Sequence, residues 1–171
     1  MKKHLRFAGF LILLLCFSCK SQVKSPYKVD VNKERNYDEY KDYELESLDS
    51  FYNASSDKYF IYLYSTECID CEQIKNFVLS YYDLNEENLP KMYKYNMHSM
   101  GSEVGIENRS KFAKNEYSWI YNANWMIENH PSSMDETYFC GTPSLYVINN
   151  NILEDFVYDI EPTKAFIEKY L

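Results

Sequence analysis

The run Lys58-Tyr59-Phe60-Ile61-Tyr62-Leu63-Tyr64 is rich in aromatic and β-branched residues and predicts a buried strand. Ser65-Thr66-Glu67 breaks that pattern. From Cys68 onward, Ile69, Ile74, Phe77, Val78 and Tyr81 recur at helical spacing, so the strand turns directly into an amphipathic helix. Met92 to Met97 reads as a second strand. Far down the chain, Ser144-Leu145-Tyr146-Val147-Ile148 and Ile152-Leu153-Glu154-Asp155-Phe156-Val157 flank Asn149-Asn150-Asn151, the signature of a hairpin. Pro162 to Leu171 closes the chain as a short helix with proline in its first turn. A strand, a helix and a second strand, followed by a hairpin and a helix, place the chain in the α/β class. Between these halves, about 99–137 has apolar content from Phe112, Tyr117, Trp119, Ile120, Trp125, Met126 and Ile127.

The first forty residues follow another pattern. Lys2, Lys3 and Arg6 precede an apolar run from Phe7 to Phe17, too short to span a bilayer. The run ends in Cys16-Phe17-Ser18-Cys19. A small residue just before a cysteine resembles a bacterial lipoprotein signal. That resemblance implies a signal peptide over 1–18, lipidation at Cys19, and a domain held at a membrane face of the bacterial cell envelope. An ordinary cleaved signal is the alternative. Residues 19–42 are polar and charged and read as a lipidated N-terminus and tether, with a short strand at Tyr27–Val31; the domain proper is expected over 43–171.

Composition narrows the function. The chain has 171 residues, enough for one domain, and its 46% hydrophobic content supports a core. A net charge of −8 argues against nucleic acid as a partner, because phosphate binding needs clustered Lys and Arg. Only four glycines are present, and neither G-x-G-x-x-G nor G-x-x-x-x-G-K-[ST] occurs. The eighteen tyrosines supply core and amphipathic surface.

Of five cysteines, Cys16 and Cys19 belong to the signal and the lipid site, which leaves Cys68, Cys71 and Cys140. Cys68 falls at a strand-to-helix turn, where helix-end amides and the macrodipole stabilise a thiolate. Cys71 lies one turn further in, placed to attack a mixed disulfide formed at Cys68. Cys140-Gly141-Thr142-Pro143 immediately precedes the hairpin.

Strand, Cys68-Ile69-Asp70-Cys71, helix, then Gly141-Thr142-Pro143, hairpin and terminal helix together resemble the thioredoxin-like superfamily over about 43–171. The secreted or lipid-anchored bacterial branch is the most similar. The resemblance implies a central mixed β-sheet flanked by helices, with a helical insertion over about 99–137 between the C-x-x-C helix and the cis-proline strand. It implies that Pro143 is cis and sits beside the redox pair, and that backbone at Thr142 contacts substrate. The chain departs from the family in several places. Glu67 replaces the usual aromatic residue before the first cysteine, and Ile69-Asp70 replaces Gly-Pro. Tyr62 stands where many thioredoxins carry a buried acid, whose lysine neighbour aligns with Lys94.

These readings imply a thiol–disulfide oxidoreductase: Cys68 attacks, Cys71 resolves, and Thr142 and Pro143 hold the substrate strand. No cofactor and no metal are required, because the cysteine pair carries the electrons. Its partners would be protein thiols and disulfides, with a second protein to recycle the pair. Glu67, Asp70 and Glu72 disfavour a thiolate at Cys68, which points to a reductant or isomerase. Two alternatives remain open. One is a non-enzymatic binding or assembly lipoprotein with a structural Cys68–Cys71 bridge. The other is a zinc site on Cys68, Cys71, Cys140 and His130 or His98. Cys140 is either an accessory thiol or a small buried hydrophobe.

Overall fold

The computed structural model describes residues 26–55, 57–84, 87–97, 118–139 and 141–171, with 118–123 as backbone only. Four strands, β1 (Tyr59–Tyr64), β2 (Lys91–Asn96), β3 (Ser144–Asn149) and β4 (Ile152–Tyr158), form one sheet in the order β2-β1-β3-β4. β1 and β2 are parallel, with Tyr62 opposite Lys94. β3 is antiparallel to β1, and β4 to β3. Among the described residues, three α-helices accompany the sheet: α1 (Ile69–Leu79), α2 (Ser118–Asn129) and α3 (Ile160–Glu168).

β1 is central, and all six of its residues are buried. Its side chains divide by the two-residue period of a strand. Phe60, Tyr62 and Tyr64 enter one core with Cys71, Ile74 and Val78 of α1 and Phe166 and Ile167 of α3. Tyr59, Ile61 and Leu63 enter the other with Phe51, Met126, Tyr146, Ile148 and Phe156. A strand covered on both faces reads as a continuous apolar run rather than an alternating one, which is the pattern of residues 58–64. The hairpin closes at Asn150 and Asn151, both at positive φ (50° and 60°), the backbone that a two-residue hairpin turn requires and that asparagine tolerates. The mixed sheet flanked by helices is the expected thioredoxin-like fold. Of the expected insertion over 99–137, α2 lies within the described residues and 98–117 lie outside them.

Two expectations for the N-terminal segment are corrected. No strand forms at Tyr27–Val31. Asp30 captures the backbone instead: its carboxylate accepts from Asn32 N–H at 3.0 Å and its carbonyl from Lys33 N–H at 3.3 Å. This turn chemistry overrides the β-propensity of Tyr27, Val29 and Val31. Nor is 26–42 a tether. Arg35 is 1% exposed, and Tyr37–Tyr43 forms a 3-10 helix. That helix begins with a reciprocal capping box between Asn36 and Glu39. The segment continues to Glu44 and Leu45, which pair with Lys94 along the outer edge of β2 and cover it. The expected signal peptide over 1–18, Cys19 and the residues up to 25 lie outside the described residues. Among the described residues no helix is long and apolar enough to cross a membrane.

Candidate functional site

The carboxyl end of β1 delivers the chain into a tight turn in which Cys68 N–H donates to Ser65 O at 3.1 Å and Glu67 N–H to Ser65 Oγ at 3.2 Å. The turn makes Cys68 the N-cap of α1, with extended backbone at φ −84° and ψ 114°. Its sulfur takes the role a serine oxygen has at other helix starts, accepting the Cys71 amide N–H at 3.0 Å. Cys68 and Cys71 are joined as a disulfide, with Cα atoms 5.2 Å apart. The two sulfurs differ in access. Cys68 is half-buried at the mouth of the turn, and Cys71 is fully buried against the core below α1.

Residues 141–144 bring the second element of the site to the first. The Thr142–Pro143 peptide is cis, and the Thr142 carbonyl oxygen lies 3.4 Å from Cys68 Sγ. A disulfide sulfur carries no proton, so this is proximity; in the dithiol, a Cys68 S–H can donate to that carbonyl. The segment is fixed from both sides. Ser144 Oγ donates to Gly141 O at 2.8 Å, and Asp159 N–H donates to Pro143 O at 3.0 Å. Gly141 has φ +116°, and a Cβ there would stand 3.2 Å from the Tyr158 ring, so both conformation and space call for glycine. The structure therefore brings Cys68, Cys71, Thr142 and Pro143 together. Cys140 and His98 lie outside the described residues, and Cys19 as well. His130 is away from the cysteine pair in role: its Nδ1–H donates to Leu153 O at 2.9 Å and ties the end of α2 to β4.

Beneath the disulfide the core is unusually rich in phenols. Tyr62 is fully buried, and its hydroxyl lies 3.5 Å from that of Tyr37. Burial, above all, pushes both phenols well up from their ordinary value, so both are neutral at physiological pH. The Tyr37 ring stacks on Tyr64 with centroids 3.8 Å apart. Lys94, a buried cation of this layer, has its ammonium 5.5 Å from the Tyr64 ring centre and pairs with Glu44. Glu44 also accepts Asn96 N–H at 3.1 Å and the Tyr64 hydroxyl at 3.3 Å. Glu44 and Arg35 escaped the reading of the sequence. Their segment is polar and aperiodic, and the only signal was a capping pattern at Asn36 and Glu39.

The half-buried Cys68 opens onto a shallow cleft that Glu67 and Glu72 help to line. Glu67, Asp70 and Glu72 are exposed, and Glu72 is paired with Lys75 on α1. Ile69, the first residue of α1, is 77% exposed, which is uncommon for a large aliphatic side chain. The arrangement leaves Cys68 accessible to a nucleophile while Cys71 is shielded from solvent.

No family model matches the chain, and no curated protein matches it. Solved structures similar to it include the thioredoxin of Malassezia sympodialis, at 17% identity over 74% of this chain and 87% of that one, with a TM-score of 0.42. StoA from Bacillus subtilis is similar at 13% identity over 68% and 84%, with a TM-score of 0.40. A third is a structure from the thiol-resolving mechanism of a yeast mitochondrial 1-Cys peroxiredoxin via glutathione and thioredoxin systems, at 15% identity over 75% and 93%, with a TM-score of 0.39. By its own geometry, with β1-α1-β2, a β3-β4 hairpin, a closing α3 and a cysteine pair beside a cis-proline, the chain has a thioredoxin-like fold.

Proposed function

We propose that the protein is a thiol–disulfide oxidoreductase acting on protein substrates in a bacterial cell envelope. The observation that carries this reading is the asymmetry of the pair: an accessible Cys68 sulfur at a helix N-terminus, 3.4 Å from the Thr142 carbonyl, bonded to a fully buried Cys71. In the dithiol form, the Cys68 thiolate attacks a substrate disulfide, forming a mixed disulfide and releasing one substrate thiolate. The Cys71 thiolate then attacks Cys68 Sγ, releasing the second substrate thiolate and restoring the Cys68–Cys71 bond. The substrate gains two electrons and the protein loses two. Thr142 and Pro143 offer backbone to the substrate strand. The cysteines carry the electrons, so the cycle calls for no cofactor, only a partner that reduces the pair again.

The direction follows from charge. The α1 amides favour a thiolate, whereas Glu67 and Asp70 oppose it. Glu72 contributes less because Lys75 neutralises it. A less stabilised reduced form makes a stronger reductant, which supports a reductant or isomerase. Lipidation at Cys19 places this chemistry at a membrane face, and a Cys19→Ala variant is expected to move from the membrane to the soluble fraction. The test of the reading is the reduction potential of the full chain, measured by equilibration with glutathione or dithiothreitol and thiol counting. The expected value lies between about −280 and −120 mV, with exchange lost in Cys68→Ser. A value well below about −300 mV, or no exchange, would indicate a structural bridge and a binding or assembly role.

A further inference from the structure

The core beneath the disulfide holds more hydroxyl protons than acceptors for them. Each phenol has one proton to donate. Tyr64 gives its own to Glu44. Tyr37 and Tyr62 have hydroxyls 3.5 Å apart that, among the described residues, meet only each other, so one proton of the two is left without an acceptor. The Tyr82 hydroxyl, on the 3-10 turn Ser80–Asp83 that follows α1, is buried with no partner among the described residues. Buried donors without acceptors cost stability, and a core that keeps them is suited to a negative charge that the disulfide form lacks.

The chemistry creates one such charge here. Cys71, fully buried, shares a single cluster with Tyr37 and Tyr62. Burial above all raises both phenols, and the carboxylate of Glu72, the residue after Cys71, adds to it, which sets the hydroxyl pair by the first turn of α1. Both phenols are neutral at physiological pH and so remain donors. The charged groups around this core are paired or exposed: Glu72 pairs with Lys75, Lys94 pairs with Glu44, and Asp70 is exposed. From α3 the cluster receives the apolar Phe166 and Ile167.

We propose that Tyr62, accepting a hydrogen bond from Tyr37, donates its own to the Cys71 sulfur when that sulfur is a thiolate, and so serves the resolving step. This inference rests on the oxidoreductase reading and names a further residue of the same site. Tyr62 then touches the reacting sulfur, whereas Tyr37 is a positioning residue whose donation polarises the Tyr62 O–H. The Cys71 thiol first loses its proton to the buffer. The thiolate attacks Cys68 Sγ, the bond from Cys68 to the substrate sulfur breaks, and the substrate thiolate leaves with the electron pair. Tyr62 keeps its proton throughout.

The experiment mixes the full chain, reduced with dithiothreitol and freed of it, with the symmetric disulfide of 5-thio-2-nitrobenzoate in a stopped-flow instrument. Cys68 releases one coloured thiolate in a phase that quickens with reagent concentration. Cys71 releases the second in a phase that does not, and that Cys71→Ser abolishes. In Tyr62→Phe the pH midpoint of the second phase is expected to rise by about one to two units, the shift for losing one hydrogen bond to a charged acceptor. At neutral pH that phase is expected to slow relative to the first by about three- to tenfold, less than the loss of thiolate because a more basic thiolate is the better nucleophile. Tyr37→Phe is expected to move both quantities the same way by less, and it carries the test should Tyr62→Phe not fold. A second phase that keeps its rate and midpoint would overturn the role of Tyr62 alone. So would a phase that slows with its midpoint unmoved, because the hydroxyls would then act through packing. A pair that dithiothreitol cannot reduce would overturn the oxidoreductase reading, and the role of Tyr62 with it.

Discussion

Lys94 on β2 is neutralised by Glu44, a residue from outside the strands. Lys94 is 1% exposed and stands opposite Tyr62 on β1, yet Tyr62 offers only a neutral phenol. A buried ammonium without a counter-charge is expensive, so the missing acid of β1 has to be supplied from elsewhere. The segment before β1 supplies it. Glu44 pairs as a strand bridge beside Lys94, Leu45 N–H donates to Lys94 O at 2.9 Å, and the Glu44 carboxylate turns back onto the ammonium. The N-terminal segment is therefore part of the layer that supports the cysteine pair.

Replacing Glu44 by Gln strands that ammonium. Destabilisation is expected to be about 2–4 kcal/mol, toward the lower end for a broken buried pair because the Glu44 side chain is 32% exposed. Urea unfolding would show it as a midpoint lowered by about 1–2 M with the slope unchanged. Adding Lys94→Met to Glu44→Gln is expected to recover most of the loss, since neither charge then remains. Failure to recover would mean that Glu44 acts through Asn96 and Tyr64 rather than through Lys94.

Arg35 locks the same segment onto α1. Its guanidinium donates twice to Asp83, at 2.7 and 3.1 Å, and also to the carbonyls of Asp30 (2.8 Å), Lys33 (2.9 Å) and Asn76 (3.2 Å). A lysine cannot reproduce a planar fork of five bonds. Arg35→Lys is expected to cost about 2–4 kcal/mol and to raise amide hydrogen exchange over 28–45 well before the sheet opens. Exchange that rises equally in β1 would show that the segment and the sheet unfold as one unit.

The Asp83 carboxyl gives this lock a pH dependence. Burial alone would raise it, but hydrogen bonds from Arg35 and Tyr40 and the charges of Arg35 and Lys33 outweigh burial and hold it below its ordinary 3.8. A carboxyl lowered on folding stabilises the fold above the unfolded value, and that stability is lost as pH falls from about 4 through the lower folded value. Tyr40, whose hydroxyl donates to Asp83 at 2.8 Å, acts at the other end of the scale. Burial first, then Asp83, pushes it up to about 12, so its contribution holds below pH 10 and is lost between 10 and about 12. Melting temperatures of wild type and Asp83→Asn should therefore converge as pH falls below 4. A gap that stays constant into acid would show that Asp83 acts through packing.

The sheet and the helix starts were legible because they rest on local pattern. Residues 58–64 announce a doubly covered strand, and Asn150-Asn151 between two β-rich runs announces a hairpin. The cysteine pair and Thr142-Pro143 were legible as motifs, and the parallel pairing of β1 with β2 sets Tyr62 beside Lys94. The part that stayed hidden is long-range and polar. Arg35 meets Asp83 across 48 residues and Glu44 meets Lys94 across 50. Such partners leave no periodicity in the chain, so a segment that is well packed reads as a solvated tether. The Tyr27–Val31 strand failed for the converse reason: its propensity was visible, whereas the Asp30 turn that overrides it shows only once the backbone is placed.

The two cysteines differ in burial, and so their chemistry is expected to separate. In the disulfide form Cys68 is half-buried at the helix start and Cys71 lies in the core. A thiol needs both thiolate character and access to react, and Cys71 lacks the access. Brief treatment of the reduced chain with iodoacetamide, read by peptide mass spectrometry, should label Cys68 at least tenfold faster than Cys71. The same asymmetry governs trapping of substrates. Cys71→Ser leaves Cys68 free to attack and removes the thiol that resolves, so mixed disulfides with protein substrates should accumulate. Cys68→Ser removes the attacking sulfur and should trap essentially none. If Cys68→Ser trapped as many partners as Cys71→Ser, the buried sulfur would be the nucleophile, and α1 would have to open before any chemistry began.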